Sequence, residues 1–275
     1  MWTLSGFADE ISPDLDEQIA LVTELGLKYI EFRTAWDMNV LDLDEDQLRR
    51  AKAALDAAGL KVSSIGSPIG KIPITEDNGP HLDRMRHALE VADFFGTRYI
   101  RIFSYFIPEG ENPDDYRDEV ISRMRALAAI AETTGITLIH ENEKEIYGDI
   151  PRRCRDIVES VNSPSLKLTW DNANFVQCGV RPFTEGYQLL APHVVYLQVK
   201  DALFADSTVV PAGEGDGEFR ESIRAFAADG FEGFASLEPH LQIGHSLGGF
   251  SGPDNWRRAH QAFIKILDEE GIPCE

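Results

Sequence analysis

The chain has 275 residues, of which 43% are hydrophobic, and a formal net charge of −21 from 47 acidic and 26 basic residues. The apolar fraction excludes a disordered chain, and the negative charge disfavours nucleic acids and anionic membrane surfaces as partners. Because we find neither a signal-peptide pattern nor a run of about 18 apolar residues, we expect a cytoplasmic protein. Cys154, Cys178 and Cys274 lie far apart, which favours reduced thiols over a disulfide framework or a zinc knuckle.

Short apolar runs alternate with amphipathic stretches along the whole chain. Eight runs are apolar enough for strands buried on both faces, at Thr3–Phe7, Tyr29–Arg33, Val62–Gly66, Tyr99–Phe103, Thr137–Glu141, Lys167–Asp171, Val194–Val199 and Gly233–Glu238. Helices are predicted at Leu15–Leu25, Asp44–Ala58, Pro80–Phe95, Asp114–Thr134 and Glu218–Asp229. This alternation predicts one α/β domain over residues 1–275, closed as a single (β/α)8 TIM barrel.

Turn-forming residues mark the ends of the predicted helices. We expect Ser12-Pro13 to cap the first helix. A glycine ends each predicted helix just before the next strand, where a left-handed turn favours a residue without Cβ, at Gly26, Gly59, Gly96, Gly135 and Gly230. The glycine-rich run Gly213–Gly217 is acidic and lacks the lysine of a phosphate-binding loop. We expect it to form a tight loop at the barrel mouth.

Carboxylates stand at the carboxyl ends of three predicted strands, the end that carries the chemistry in barrels of this type. They are Glu141, Asp171 and Glu238. Any one of them has a simple alternative explanation as a helix cap or as half of an ion pair. Three that converge at one mouth repel each other, so without a cation at least one would hold a proton. We therefore predict one divalent metal ion, with Mn²⁺ or Mg²⁺ favoured by oxygen ligands and Co²⁺ or Zn²⁺ as the alternatives.

Several short motifs carry a resemblance to a known family. They are HENE at Glu141, TWDNAN at Asp171, LQVKDA at Lys200-Asp201, Gly213–Gly217, and SLEPH at Glu238. Over nearly its full length the chain resembles the xylose isomerase-like TIM-barrel superfamily, the sugar phosphate isomerase/epimerase group, which is related to ketose 3-epimerases and inosose dehydratases. The resemblance implies metal ligation by Glu141, Asp171, Gln198 and Glu238. Gln198 departs from the family pattern, which usually has a histidine there.

The resemblance also implies a reaction. The expected function is that of a divalent-metal-dependent isomerase or epimerase acting on a small, unphosphorylated sugar or keto-sugar through an enediolate. Glu141 and Glu238 would then be the proton acceptor and donor. The alternative is a metal-dependent lyase, a dehydratase or β-eliminase that acts on a keto-sugar or keto-inositol. It is kept because members of the superfamily that resemble dehydratases also have glutamine at the position of Gln198.

Two other classes on this fold fit the sequence less well. An AP-endonuclease-like enzyme needs a three-zinc cluster rich in histidine, and none of the seven histidines ends a predicted strand in that pattern. A catalytically silent sugar-binding barrel would not need both Glu141 and Glu238. The partner we expect is therefore a small polyhydroxy carbonyl compound, with no nucleic acid and no membrane. Homo-oligomers are common in the family.

Further polar residues are expected near the barrel mouth. Those predicted to bind substrate are Asn174, Lys200, His240, Arg101 and Arg33. Asn174 stands where the family's ketose epimerases usually present a substrate-binding histidine. For Lys200, an ion pair with Glu141 or Glu143 is an equal alternative to substrate binding. For His240, the alternative is a hydrogen bond within its own loop. Of Arg33 and Arg101, one is expected to pair with site carboxylates and the other to contact the ligand.

Three more residues are expected in or near the barrel mouth. Glu10 and Lys71 are expected on the same face of the barrel as the metal ligands. His140 precedes Glu141 in its strand and therefore points the opposite way, so we predict a packed structural histidine.

Overall fold

A computed structural model of the chain describes residues 1–242 and 249–275. Eight parallel strands form one sheet: β1 (Thr3–Gly6), β2 (Tyr29–Phe32), β3 (Lys61–Ile65), β4 (Tyr99–Ile102), β5 (Thr137–Glu141), β6 (Leu166–Asp171), β7 (Val194–Val199) and β8 (Phe234–Leu237). Their order in the sheet is β1-β8-β7-β6-β5-β4-β3-β2. The two outer strands meet through a bridge between Phe7 and Glu31, which nearly closes the barrel. The prediction of a single TIM barrel is confirmed.

Helices lie between the strands, as an all-parallel sheet requires. They are α1 (Leu15–Glu24), α2 (Glu45–Ala57), α3 (Gly79–Phe95), α4 (Arg117–Ala131), α5 (Pro151–Val161), α6 (Asn172–Gln177), α7 (Tyr187–Leu190), α8 (Phe219–Ala228) and α9 (Gly252–Glu270). Two short hairpins pair Thr34–Ala35 with Met38–Asn39 and Asp201–Ala202 with Val209–Val210. No helix within the described residues combines the length and the apolar character needed to cross a bilayer.

Predicted and observed element bounds agree closely in the middle of the chain. The bounds of β5 and β7 are those predicted. β1 and β8 end one residue before the predicted positions, at Gly6 and Leu237. The sequence prediction named no helix at α5, although Cys154, Ile157 and Val161 repeat at helical spacing and are buried there.

Two details of the predicted helices are corrected. The cap of α1 is Asp14, whose side chain accepts hydrogen bonds from the backbone N–H groups of Asp16 and Glu17, whereas Ser12 accepts one from Asp14. The predicted helix Asp114–Thr134 begins as a separate 3₁₀ turn, Pro113–Tyr116, before α4. The helix-ending glycines were predicted correctly, with φ of +80° at Gly26 as one example.

The barrel interior is polar rather than filled with branched apolar side chains. Ser5 Oγ lies 2.6 Å from Ser63 Oγ, which lies 2.9 Å from the hydroxyl of Tyr196. That hydroxyl donates to Glu31 Oε2 over 3.2 Å. A chain of hydrogen bonds therefore rises from the barrel floor to a carboxylate below the strand ends.

Candidate metal centre

The predicted metal ligands come together at the carboxyl ends of β5 to β8. Asp171 and Gln198 are direct neighbours in the β6–β7 ladder, and Gln198 pairs on its other side with Ser236 of β8. Glu141 ends β5 and Glu238 follows β8. All four side chains are buried, and one oxygen each of Glu141, Asp171 and Glu238 lie within 4.8 Å of one another. The strand ends thus converge as predicted.

Asn174, in the first turn of α6, holds two of these carboxylates. Its backbone N–H donates to Asp171 Oδ1 over 2.8 Å, which makes Asp171 the N-cap of α6. Its side-chain amide donates to Glu141 Oε1 over 3.0 Å and to the carbonyl of Asn142 over 2.9 Å. Asn174 therefore lies in the site, where its amide group orients Glu141; its contact with a substrate stays a prediction.

The Lys200 ammonium lies between two of the carboxylates. Its Nζ is 3.0 Å from Asp171 Oδ2 and 2.9 Å from Glu238 Oε2. The alternative prediction, an ion pair of Lys200 with Glu141 or Glu143, named the wrong partners: Lys200 pairs with Asp171 and Glu238. Lys200 leaves β7 two residues after Gln198 and points to the same side, so it meets the neighbours of Gln198 on β6 and β8.

Two buried arginines supply further positive charge. Arg33 contacts Asp9 over 2.7 Å and Glu238 over 3.1 Å. Arg101 contacts Glu141 over 3.1 Å and Glu238 over 3.4 Å. One of the two was expected to pair with site carboxylates, and both do; contact of either with a ligand stays a prediction. Arg33, Arg101 and Lys200 reduce the repulsion among the three carboxylates, although Arg33 also contacts Asp9 and Glu10.

The two glutamates have opposite pKa shifts. Burial, and then the charge of Glu238, raise the pKa of Glu141 to about 8. Burial also raises the pKa of Asp171 to about 6, although Lys200 opposes this. Burial acts on Glu238 in the same direction, but Lys200 and His240 outweigh it and hold its pKa well below the usual value. In the metal-free protein at neutral pH, Glu141 therefore carries a proton and Glu238 is ionised.

Gln198 presents its two amide atoms to different surroundings. Its Nε2 donates to Glu31 Oε2 over 3.0 Å. Its Oε1 is buried and has no hydrogen-bond partner among residues 1–242 and 249–275. A buried carbonyl oxygen without a partner is costly unless something else binds it. Because Gln198 is the strand neighbour of Asp171, a cation beside Asp171 is the simplest such partner.

This donor set fits a divalent ion. Three carboxylates and one amide oxygen are the ligands that Mg²⁺ and Mn²⁺ prefer. The carboxylate oxygens lie within 4.8 Å of one another, and Gln198 is the strand neighbour of Asp171. The ammonium of Lys200 now occupies the space between Asp171 and Glu238, so it must swing aside when an ion binds. Its flexible four-carbon stem allows such a movement.

His240 lies at the rim of the site. Its Nε2 is 3.2 Å from Glu10 Oε1 and 3.3 Å from Glu238 Oε1, and its backbone N–H donates to Glu10 over 2.7 Å. Glu10, Glu238 and His240 also offer three atoms within 4.8 Å of one another. The first group has three carboxylates and lies beside the amide oxygen of Gln198, which has no hydrogen-bond partner among the described residues, so it is the better cation site.

A small cavity opens onto these side chains. It measures about 80 Å³, and its described walls include Arg33, Lys71, Arg101, Lys200, His240, Glu141, Glu143 and Glu238. Ligand pockets usually measure about 300–1,000 Å³, so a sugar requires side chains to move outward. A larger cavity of about 540 Å³ lies at the amino ends of the strands. Its walls include Tyr29, Ser63 and Tyr99, and it holds none of the converging carboxylates.

The glycine-rich loop is folded around a side chain of the protein itself. Asp201 accepts hydrogen bonds from the backbone N–H groups of Ala202, Gly213, Gly215 and Gly217, at 2.8 to 3.1 Å. Amide groups that could have surrounded a phosphate are therefore bound to a buried carboxylate. The prediction of a tight loop without a phosphate-binding role agrees with these contacts.

His140 is a structural residue, as predicted. One of its ring nitrogens, Nε2, lies 2.9 Å from the hydroxyl of Ser104, and burial lowers its pKa to about 3. It is therefore neutral at physiological pH and lies outside the charged cluster.

Sequence reasoning missed Glu31 and Asp9. Glu31 is a charged residue inside an apolar strand, two positions before Arg33, and residues two apart in a strand point to the same face. That spacing was the signal that it shares the barrel interior with Arg33. Burial raises the pKa of Glu31, and Arg101 opposes the shift. Asp9 lies in the short 3₁₀ turn Ala8–Glu10 after β1, and only the folded structure shows its contact with Arg33.

The fold is a (β/α)8 barrel whose strand ends bring together acidic groups that could hold a metal ion. The profile of the xylose isomerase-like TIM barrel family matches residues 19–266, and the chain belongs to this family. A 2-oxo-tetronate isomerase from Haemophilus influenzae is 31% identical over 121 residues, which cover 41% of this chain and 43% of that protein. The matched segment is thus less than half of that relative.

Solved structures share the fold at lower identity. A D-tagatose 3-epimerase-like protein has a TM-score of 0.79 at 17% identity, with 98% of each chain covered. The IOLI protein with a bound zinc atom has a TM-score of 0.79 at 15% identity, with 98% and 99% covered. A xylose isomerase-like TIM barrel protein from Mycobacterium smegmatis in complex with magnesium has a TM-score of 0.71 at 19% identity, with 99% and 97% covered.

Proposed function

We propose that this protein is a divalent-metal-dependent isomerase or epimerase that acts on a small, unphosphorylated sugar or keto-sugar through an enediolate. The observation that carries the proposal is the convergence of Glu141, Asp171 and Glu238, buried and within 4.8 Å, beside the partnerless amide oxygen of Gln198. Family membership and the isomerase relative support the same class of reaction.

Four side chains would hold the ion: Glu141, Asp171, Gln198 and Glu238. The ion would supply a positive charge that polarises the substrate carbonyl and neutralises the charge formed when a proton leaves the adjacent carbon. We favour Mn²⁺ or Mg²⁺, because the ligands are all oxygen atoms.

Glu238 and Glu141 would move the proton. Glu238 would accept a proton from the substrate carbon, and Arg33 and Arg101, at 3.1 and 3.4 Å, favour its ionised form. Glu141 would return the proton to the enediolate.

The surroundings of the site favour a substrate without phosphate. The amide groups of the Gly213–Gly217 loop are bound to Asp201, and Arg33, Arg101 and Lys200 each have carboxylate partners. Substrate contacts are proposed for Asn174, Lys200, His240, Arg101 and Arg33. A sugar acid such as the 2-oxo-tetronate in the relative's name belongs in the substrate panel because of that relative.

The test uses chelator-stripped protein reloaded with Mn²⁺. Aldoses, keto-sugars and 2-oxo-tetronate are incubated in D₂O, and products are analysed by mass. An isomerase or epimerase gives a product of unchanged composition that carries deuterium next to the carbonyl. Loss of one water would instead support the lyase alternative and contradict isomerisation.

Two variants and a control assign the acid and the base. Glu141→Gln and Glu238→Gln should each lower kcat by about 10²-fold or more. Glu76→Gln, on the exposed surface, is the matched control and should turn over normally. Unchanged turnover in both site variants would refute the proposed mechanism.

A further inference from the structure

An amide side chain offers one donor and one acceptor, so the direction in which it points decides whether it can bind a cation. Gln198 occupies a strand position with Asp171 on one side and Ser236 on the other. Only its oxygen is a useful metal ligand; its nitrogen would repel the ion. Something must therefore hold the nitrogen end away from the metal centre.

Glu31 is placed to do this. Its Oε2 accepts the Nε2–H of Gln198 over 3.0 Å, and both side chains are 1% exposed. The same Oε2 also accepts a hydrogen bond from the Tyr196 hydroxyl, so it acts as an acceptor, and a turned amide would place two oxygens against each other. The observed contact therefore favours the orientation in which the carbonyl oxygen of Gln198 faces away from Glu31.

Glu31 is itself held from below. The hydroxyl of Tyr196 donates to the same Oε2 over 3.2 Å and also contacts Ser63 over 2.9 Å. Ser63 in turn lies 2.6 Å from Ser5. Because this chain of buried groups fixes the carboxylate, the acceptor meets Gln198 in a set position.

We propose that Glu31 is a positioning residue for the metal centre, which turns the Gln198 amide so that its oxygen can bind the ion. This inference rests on the proposed function, since it presupposes a metal bound by Gln198. Partners that orient a metal ligand typically contribute about 10–100-fold to metal affinity. The ability of Gln198 to bind the ion then depends on the Glu31 carboxylate one layer below it.

The test measures Mn²⁺ binding to chelator-stripped protein by calorimetry. Glu31→Leu removes the acceptor and should weaken binding about 10–100-fold. Glu31→Gln should retain most of the affinity, because the Tyr196 hydroxyl keeps an oxygen acceptor facing Gln198. Tyr196→Phe removes the other hydrogen bond to the same oxygen and should weaken binding less than Glu31→Leu does, because the carboxylate itself remains. Glu76→Gln, on the exposed surface, is the matched control and should bind as the unmodified protein does. Thermal unfolding confirms that each variant is folded.

A double-mutant cycle gives the decisive result. In a Gln198→Ala background, Glu31→Leu should cause no further loss of affinity, because the amide it orients is gone. Equal losses in both backgrounds, or full affinity in Glu31→Leu alone, would overturn the role of Glu31 while leaving the metal site intact. Absence of Mn²⁺ binding in the unmodified protein would overturn the proposed function as well.

Discussion

Lys200 Nζ lies 2.9 Å from Glu238 Oε2, inside the ring of side chains proposed to hold a metal ion. The same ammonium is 3.0 Å from Asp171 Oδ2. In the metal-free protein it thus serves as the counter-ion for two buried carboxylates. Metal binding at this point exchanges one cation for another, which makes the behaviour of Lys200 variants informative.

Replacing Lys200 should destabilise the metal-free protein and make its stability depend on metal. Lys200→Met leaves Asp171 and Glu238 buried without their shared cation, and we expect a loss of about 3–5 kcal/mol. Mn²⁺ should restore much of this loss by binding only the folded state. Thermal unfolding with chelator and with Mn²⁺ measures both effects. Lys52→Met, in an exposed pair with Asp56, is the control and should change little. A loss that Mn²⁺ does not reverse would contradict this prediction.

The raised pKa of Glu141 predicts how stability changes with pH. Its ordinary value is 4.5 and its value in the folded metal-free protein is about 8. A carboxyl shifted upward stabilises the fold fully below 4.5 and loses that contribution as pH rises through 8. The loss is up to about 1.4 kcal/mol per pH unit.

Glu141→Gln, which resembles the protonated form, should remove this part of the pH dependence. Urea unfolding in the presence of chelator at pH 5, 6, 7 and 8 compares the two proteins. Parallel curves for the unmodified protein and the variant over this range would show that Glu141 is not the responsible group.

Asp201 should be a major contributor to stability. Asp201→Ala leaves four backbone N–H donors without their acceptor, two of them buried and two partly buried. An unsatisfied buried donor costs about 1–3 kcal/mol, and local rearrangement recovers part of it, so a loss of about 3 kcal/mol or more is expected. Asp201→Asn keeps one acceptor oxygen, so its stability should lie between that of the unmodified protein and that of Asp201→Ala. Urea unfolding measures the losses, with exposed Asp206→Ala as control; a loss below about 1 kcal/mol in Asp201→Ala would contradict the assignment.

The ligand at position 198 should set metal preference. Gln198→His replaces an amide oxygen by an imidazole nitrogen, which favours Zn²⁺ over Mn²⁺ relative to the unmodified protein. Glu31 remains available to accept the second ring N–H. Competition between the two ions for stripped protein measures the shift. An unchanged ratio would mean that residue 198 does not contact the ion.

The sequence predicts most of this barrel because its signals are local. Apolar runs mark strands buried on both faces, and a glycine such as Gly26 marks the end of a helix by its left-handed φ of +80°. Ser12 was a plausible cap by composition, but Asp14 lies one position before the first helical residue and makes the bonds. Such errors of one or two residues arise where two suitable residues compete locally.

Ion-pair partners were harder to predict, because they depend on distances across the barrel. Lys200 was recognised as a site residue, yet its contacts with Asp171 and Glu238 follow from the register of β6, β7 and β8. Glu31 was missed because its role appears only when Gln198 is seen beside it. Residue identity and strand position indicated the ligands; three-dimensional packing was needed for the groups that orient and neutralise them.

The most direct measurement is Mn²⁺ titration of chelator-stripped protein, comparing the unmodified chain with Asp171→Asn and Glu238→Gln. If the strand ends hold a metal, the unmodified protein binds one ion per chain, each variant loses at least about 10-fold in affinity, and Glu76→Gln binds normally. An unmodified protein that binds no divalent ion, or site variants that bind it as well as the control does, would contradict the account.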